Sequence, residues 1–236
     1  MYFGLSEDQI FFQDNVKKFL EDNAPLDIIK KISEGEDLST KDELHQGLIN
    51  LGINNILIPE ENGGLGLDLL FASAVSQSLG EGIATLPFVG PYVIAPIAIK
   101  YGASDSQKEK LFNGMSQNLI NCGVGFSEYF GSRDSSDLSI SNDKITGRTL
   151  FVLDVDFASH VMLCDKKGQI GLVSLDSKGI EIIDLTTVDK TRTYKEMVFK
   201  DAPIEILDKS KSSTDAAEMA LSAGRIIPAA DSLGAS

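Results

Sequence analysis

Ile58-Pro59-Glu60-Glu61-Asn62-Gly63-Gly64-Leu65-Gly66 is the stretch whose reading decides the fold. A Gly-Gly-x-Gly turn behind Pro and Glu can place several backbone dihedrals where other residues clash, so a loop of fixed shape is expected. Just upstream, Leu51-Gly52-Ile53 marks a helix stop, and downstream apolar residues recur at helical intervals over 67–79 and end at Gly80. The turn therefore joins two helices.

Working outward toward the N-terminus, Ser6 followed by Gln9 is a capping-box pattern. Phe12, Val16, Phe19 and Leu20 then share one face of an amphipathic helix. Thr40 and Glu43 repeat the pattern ahead of Leu44, Leu48 and Leu51, which predicts a second helix closing at Gly52. Toward the C-terminus, Pro87, Pro91 and Pro96 punctuate an apolar run over 83–99, where an unbroken helix would lose backbone bonds; a loop and then a helix from near Pro91 are expected. That run is too short and too interrupted to span a bilayer. Ser104 or Asp105 can cap a short helix that closes at Gly114.

From Leu119 the period changes. Segments 120–126, 144–153, 161–164, 169–174, 180–183 and 195–199 are short and rich in β-branched or aromatic residues, and turn residues such as Ser141-Asn142-Asp143 separate them. An antiparallel barrel or sandwich is predicted. After a polar linker, Thr214 can cap a last helix carrying Ala217, Ala220, Leu221 and Gly224. The fold class expected is α+β: an all-helical domain over 1–118, a β-domain over 119–208, and the first helix of a further helical domain over 209–236.

Composition narrows the function. Acidic residues outnumber basic ones 35 to 21, a net charge of −14, which repels nucleic acid and anionic membrane surfaces. Cys122 and Cys164 each lie in a strand-like apolar run, as buried unreactive thiols do, so no disulfide framework is expected. His45 and His160 lack Cys or carboxylate neighbours at metal-ligand spacing and read as structural or surface residues. With no basic leader or apolar signal core, a cytoplasmic protein without a membrane span is expected.

With the glycine turn, its flanking helices and this order of elements, the chain resembles an acyl-CoA dehydrogenase from near residue 5 to its last residue. The resemblance implies α,β-dehydrogenation of an acyl-CoA thioester with FAD as cofactor, and transfer of electrons to an electron-transfer flavoprotein. Phe126-Ser127-Glu128-Tyr129-Phe130-Gly131-Ser132-Arg133-Asp134 stands where the family has Thr-Glu-Pro followed by Ala-Gly-Ser-Asp. The match assigns Phe126 and Ser127 to the flavin and Ser132, Arg133 and Asp134 to the substrate. Tyr129 replaces the family's Pro, and Arg133 replaces Ser. The Ser127 hydroxyl either donates to the flavin pyrimidine or caps the strand in a local turn.

Gly147-Arg148-Thr149-Leu150-Phe151-Val152-Leu153-Asp154 stands where the family has Trp-Ile-Thr/Ser. Phe151 keeps an aromatic face for the flavin, and Leu153 occupies the place of a hydroxyl that bonds near its reactive nitrogen. Both could equally be alternating core residues of a strand. Asp189-Lys190-Thr191-Arg192 and Phe199-Lys200-Asp201 resemble a divergent branch that includes dehydrogenases for steroid side chains, some of them pairs of unlike subunits. Arg192 reads either as a buried pair within the β-domain or as a phosphate contact, with the first preferred.

No catalytic residue is assigned, because the family's base lies in its final helical region, beyond residue 236. Only the first helix of that bundle falls within the chain. A lone helix has nothing of its own to bury its apolar face against, so the expectation is a truncated member or one that relies on a partner, in a homo- or hetero-oligomer. The alternative function is a non-catalytic partner subunit of a heteromeric acyl-CoA dehydrogenase. No turnover is expected from these 236 residues.

Overall fold

The structure, a computed structural model, describes residues 4–131 and 137–236. Helices come first: α1 (Glu7–Asn23), α2 (Leu26–Ser33), α3 (Leu38–Asn50), α4 (Leu69–Glu81), α5 (Ala95–Gly102) and α6 (Asp105–Ser116). Ser6 caps α1 with the expected box, its hydroxyl accepting from the Gln9 N–H while the Gln9 side chain accepts from Ser6. At α6 the Gln107 side chain accepts from both the N–H and the hydroxyl of Ser104. The second cap differs from expectation. Asp37, not Thr40, starts α3, because its carboxylate accepts from both the N–H and the hydroxyl of Thr40 and outcompetes a neutral oxygen.

The glycine turn is fixed as its sequence requires. Gly63 and Gly66 have φ of 80° and 60°, and a Cβ on Gly64 would fall 2.0 Å from the Ile58 carbonyl oxygen. Leu65 and Leu67 donate to the carbonyls of Asn55 and Ile56, tying the loop to the 3-10 turn (Ile53–Asn55) that follows α3. The proline-rich run holds a π turn over Val89–Ile94 that flows directly into α5. The helix therefore starts earlier than Pro91. Pro96 offers no N–H to the turn before it, and the wider π spacing, with Ala95 donating to Gly90, accommodates that loss.

Strands follow: β1 (Cys122–Gly125), β2 (Ser139–Ser141), β3 (Lys144–Leu153), β4 (His160–Cys164), β5 (Ile170–Ser174), β6 (Ile180–Leu185), β7 (Tyr194–Pro203) and β8 (Glu205–Ile206). They form one sheet in the order β6-β7-β3-β1-β4-β5-β8, with β2 beside β3. Its pairs are antiparallel with one exception that corrects the sequence reading: β1 and β4 run parallel. The cause is local. β3 and β4 are the arms of an open hairpin joined by a short 3-10 turn (Val155–Phe157), and β1 slots between them, with the N–H groups of Ser159 and His160 both donating to the Asn121 carbonyl.

The strands β1, β4 and β5 are buried on both sides. In β4, Met162 and Cys164 pack against α5, α6 and the last helix, while Val161 and Leu163 join Ile145, Val152, Met197 and Phe199 in a core the sheet encloses itself. Such double burial produces apolar runs without alternation. Both cysteines are free and buried, and burial pushes the Cys122 thiol up to about 12 and Cys164 upward as well.

The last helix, α7 (Asp215–Gly234), overturns the expectation that it lacks a packing partner. Ala223 and Ile227 enter the core of α1–α4, and Ala216, Ala217 and Ala220 enter the core shared with the sheet. The cap also differs: Ser213 accepts from the Asp215 N–H, and the Thr214 hydroxyl turns instead to Glu218. Approach to α4 is unusually close. A Cβ on Gly80 would lie 1.9 Å from the Asp231 carbonyl oxygen, and one on Gly234 would lie 1.9 Å from that of Gln77. Among the described residues no helix is long and apolar enough to cross a membrane.

Because backbone cannot yield as a flexible side chain can, Gly80→Ala must push α7 off α4. We expect a loss of about 1–3 kcal/mol in urea unfolding with an unchanged slope. A variant as stable as the parent would show that the two helices do not meet this way.

Candidate functional site

Where β1 ends, β3 is bulged and α7 crosses, the fold leaves a cavity of ≈ 540 Å³. Phe126 and Ser127 form one wall, Phe151, Leu153 and Asp154 a second, and Leu221, Gly224 and Pro228 of α7 a third, with Leu86, Phe88 and Val89 closing the fourth side. The four residues read from the sequence as flavin-facing thus converge on one space. Ser132, Arg133 and Asp134, read as substrate-facing, lie outside the described residues.

A bulge aims Phe151. Opposite Met197 and Lys195 of β7, the register slips between Thr149 and Val152, and Phe151 takes a φ of 56°. An extra residue in left-handed conformation breaks the strand's alternation, so Phe151 leaves the interior and is 42% exposed, its ring edge-on to Tyr194 at 6.3 Å. Val152 remains fully buried on the other face. Phe151 therefore faces the cavity and is not a core residue.

Ser127 behaves differently from a free cofactor donor. Its hydroxyl donates to the Leu150 carbonyl at 2.6 Å and sits 3.1 Å from the Thr149 hydroxyl, so its proton is committed to stitching the end of β1 to the bulge. Toward the cavity that oxygen can only accept. Glu128 turns inward, 1% exposed, and among the described residues neither carboxyl oxygen has a hydrogen-bond partner. Glu60 and Glu61 lie on the exposed glycine turn and contribute nothing to the cavity.

Arg192 corrects the sequence reading too. Instead of pairing within the β-domain it reaches across to the helices, donating to the carbonyls of Ala84 and Leu86 at 2.7 and 3.2 Å and meeting Asp231 of α7 at 3.4 Å. A planar guanidinium suits this threefold tie. It locks the β6–β7 connection, the 84–86 segment and α7 around one side of the cavity. Arg225, also on the wall, lies over the Phe130 ring at 5.6 Å.

Asp154 is the residue that sequence reasoning passed over. It follows Leu153 with a φ of 60°, a conformation that Asp tolerates better than most residues, and its carboxyl lies against the Gly90 backbone, where a Cβ would sit 2.9 Å from Oδ2. Burial raises it to about 6, against the downward pull of Arg192 and Lys41. Behind it, His45 Nε2 lies 2.7 Å from the Tyr92 hydroxyl, its ring edge against Phe157, and burial lowers this imidazole to about 4. Nothing in the sequence around Asp154 signals this, since Gly90, Lys41 and Arg192 come from distant segments.

Residues 6–118 match the family model described as acyl-CoA dehydrogenase, N-terminal domain. A search of curated proteins gave no match. Among solved structures, butyryl-CoA dehydrogenase from Megasphaera elsdenii superposes with a TM-score of 0.80 at 20% identity, over 99% of this chain and 67% of that one. A glutaryl-coenzyme A dehydrogenase in complex with glutaryl-CoA gives 0.81 at 19%, over 99% and 65%. An acyl-CoA dehydrogenase complexed with FAD from Bacillus anthracis gives 0.82 at 16%, over 98% and 42%. At such identities the likeness is one of fold, and the chain spans about two thirds or less of each relative.

His45 and Asp154 impose opposite pH dependences on stability. His45 binds its proton less readily folded than unfolded, so its contribution is complete above its ordinary 6.5 and is lost as pH falls through about 4. Asp154 binds its proton more readily folded, so its contribution is complete below its ordinary 3.8 and is lost as pH rises through about 6. Each is on the order of 1–2 kcal/mol after solvent screening. Relative to the parent over that window, denaturant titrations of Asp154→Asn should show stability climbing more steeply with pH. His45→Gln should show it climbing less steeply or falling. Parallel curves for all three proteins would contradict these environments.

Proposed function

We propose, from the premise that this chain belongs to the acyl-CoA dehydrogenase family, that its cavity receives the ring system of FAD together with the acyl end of a CoA thioester in α,β-dehydrogenation. The observation that carries this reading is the convergence of Phe126, Ser127, Phe151 and Leu153 on one apolar space walled by sheet and helix. The volume suits a ring ligand and the lining is mostly apolar with a few polar groups, as small-molecule sites are. When bound, the flavin supplies the hydride acceptor.

The chain's own residues bind and orient. Phe126 and Phe151 offer flat apolar contact, Leu153 excludes water, and the bulge holds Phe151 in the one direction that faces the cavity. Ser132, Arg133 and Asp134 are proposed as the substrate side on the motif match alone. Electrons would pass to an electron-transfer flavoprotein, and a cytoplasmic homo- or hetero-oligomer is the proposed working form. No carboxylate here is assigned as the base that takes the α-proton.

A second reading has an observation of its own. The two hydroxyls that the resemblance directs at the flavin are missing as donors, Ser127 because its proton goes to Leu150 and Leu153 because it has none. That favours a partner subunit that contributes a wall of the site to an active chain. Its signature would be flavin retained only in the pair.

Equilibrating the purified chain with FAD and separating it by gel filtration tests the first reading. Flavin absorbance should co-elute with protein, and Phe151→Ala should weaken the Kd by tenfold or more, since a buried aromatic face is worth roughly 1.5–3 kcal/mol. Unchanged affinity in that variant would place the flavin elsewhere.

A further inference from the structure

One polar group on the cavity wall, the Asp154 carboxyl, has no part in the family match, yet the fold goes to some length to hold it. It caps β3 in a strained left-handed conformation, and a Cβ on Gly90 would lie 2.9 Å from its Oδ2, so the backbone can come near only because residue 90 is glycine. No ion pair engages it among the described residues. Arg192, its nearest strong cation in effect, already serves Ala84, Leu86 and Asp231. Lys41 from α3 and Asp156 from the following turn act on it with opposite signs, and the Tyr92 and Tyr194 hydroxyls complete the surroundings. On the rest of the wall the charged groups are Asp189, Arg225 and Asp231.

The geometry points to Asp154 as a ligand-contacting residue that, in its protonated form, donates a hydrogen bond to an acceptor atom on the edge of a flat ring ligand, so that filling the cavity takes up a proton. Two facts lead there. The Ser127 proton is spent on Leu150, which leaves the wall formed by β1 and β3 short of side-chain donors. An occupant resting on Phe151 and Leu153 displaces water from the neighbouring carboxyl, and stripping a carboxylate of water without supplying a donor is costly, whereas the neutral acid both avoids that cost and meets an acceptor. Oxidised flavin, whose ring edge carries carbonyl oxygens and an unprotonated nitrogen, is the ligand class that fits. The inference rests on the FAD reading above and deepens it.

Isothermal calorimetry with FAD, run at one pH in two buffers of different ionisation enthalpy, reads the proton count directly. At about pH 7.5 the parent should take up close to one proton per FAD, and its Kd should weaken by up to tenfold for each pH unit raised between about 6 and 8. Asp154→Asn keeps an N–H donor and the shape, and should bind FAD with no uptake and a flat pH profile. Asp231→Asn, removing the other wall carboxyl that burial raises, should keep the uptake. Binding without uptake in the parent overturns the proposal whatever the variants do, as does uptake that survives in Asp154→Asn or vanishes only in Asp231→Asn. FAD failing to bind at any pH would remove the cofactor reading and this inference together; FAD binding with no uptake would remove this inference alone.

Discussion

Backbone meeting backbone where α7 crosses α4 is the constraint on which the rest of this structure depends. Gly80 faces the Asp231 carbonyl and Gly234 faces that of Gln77 at distances no side chain would permit. Seated there, α7 contributes Ala223 and Ile227 to one core and Ala216, Ala217 and Ala220 to the next, so a single helix couples helical layer to sheet. The same seating puts Leu221, Gly224 and Pro228 against the mouth of the strands and creates the cavity. Pro228 adds a local effect, since it has no N–H to return to the Gly224 carbonyl, and both residues line that space.

Opposite this wall the sheet concentrates its strain. Phe151 and Asp154 both occupy the left-handed region within four residues of β3, where each costs on the order of 1–3 kcal/mol. The long ladder with β7 on either side of the bulge holds them there. One exposes a ring and the other a carboxyl, into the same cavity. Two left-handed residues brought together at one cavity wall are what a binding site would require of this strand. Arg192 then fastens the cavity's rim to the helices by three hydrogen bonds, so its walls are positioned by packing and not by the ligand.

Much of this was written in the sequence in local terms. The capping box at Ser6, a cap at Ser104, helical periods, and a glycine turn with positive φ at Gly63 and Gly66 all reported themselves. What stayed hidden was short or long-range. Helix α2 starts at Pro25 without a side-chain cap, and β2 and β8 are three and two residues long, too little for a period to show. The parallel β1–β4 pair depends on which strand inserts into an open hairpin, and α7's partner on two glycines whose role appears only when the helices meet. Within the site, the convergence of Phe126 and Phe151 was legible from motif order. The direction of the Ser127 hydroxyl and the capture of Asp154 by Gly90 were not, because each is decided by a residue on another element.

The central claim is that the space between bulged β3 and α7 is where this protein receives its ring ligand. Amide hydrogen exchange followed by mass spectrometry, with and without saturating FAD, measures that most directly. The account predicts that FAD slows exchange in peptides covering 149–154 and 221–232 while leaving α1 and α2 unchanged. Slowing confined to other segments, with these two untouched, would contradict it.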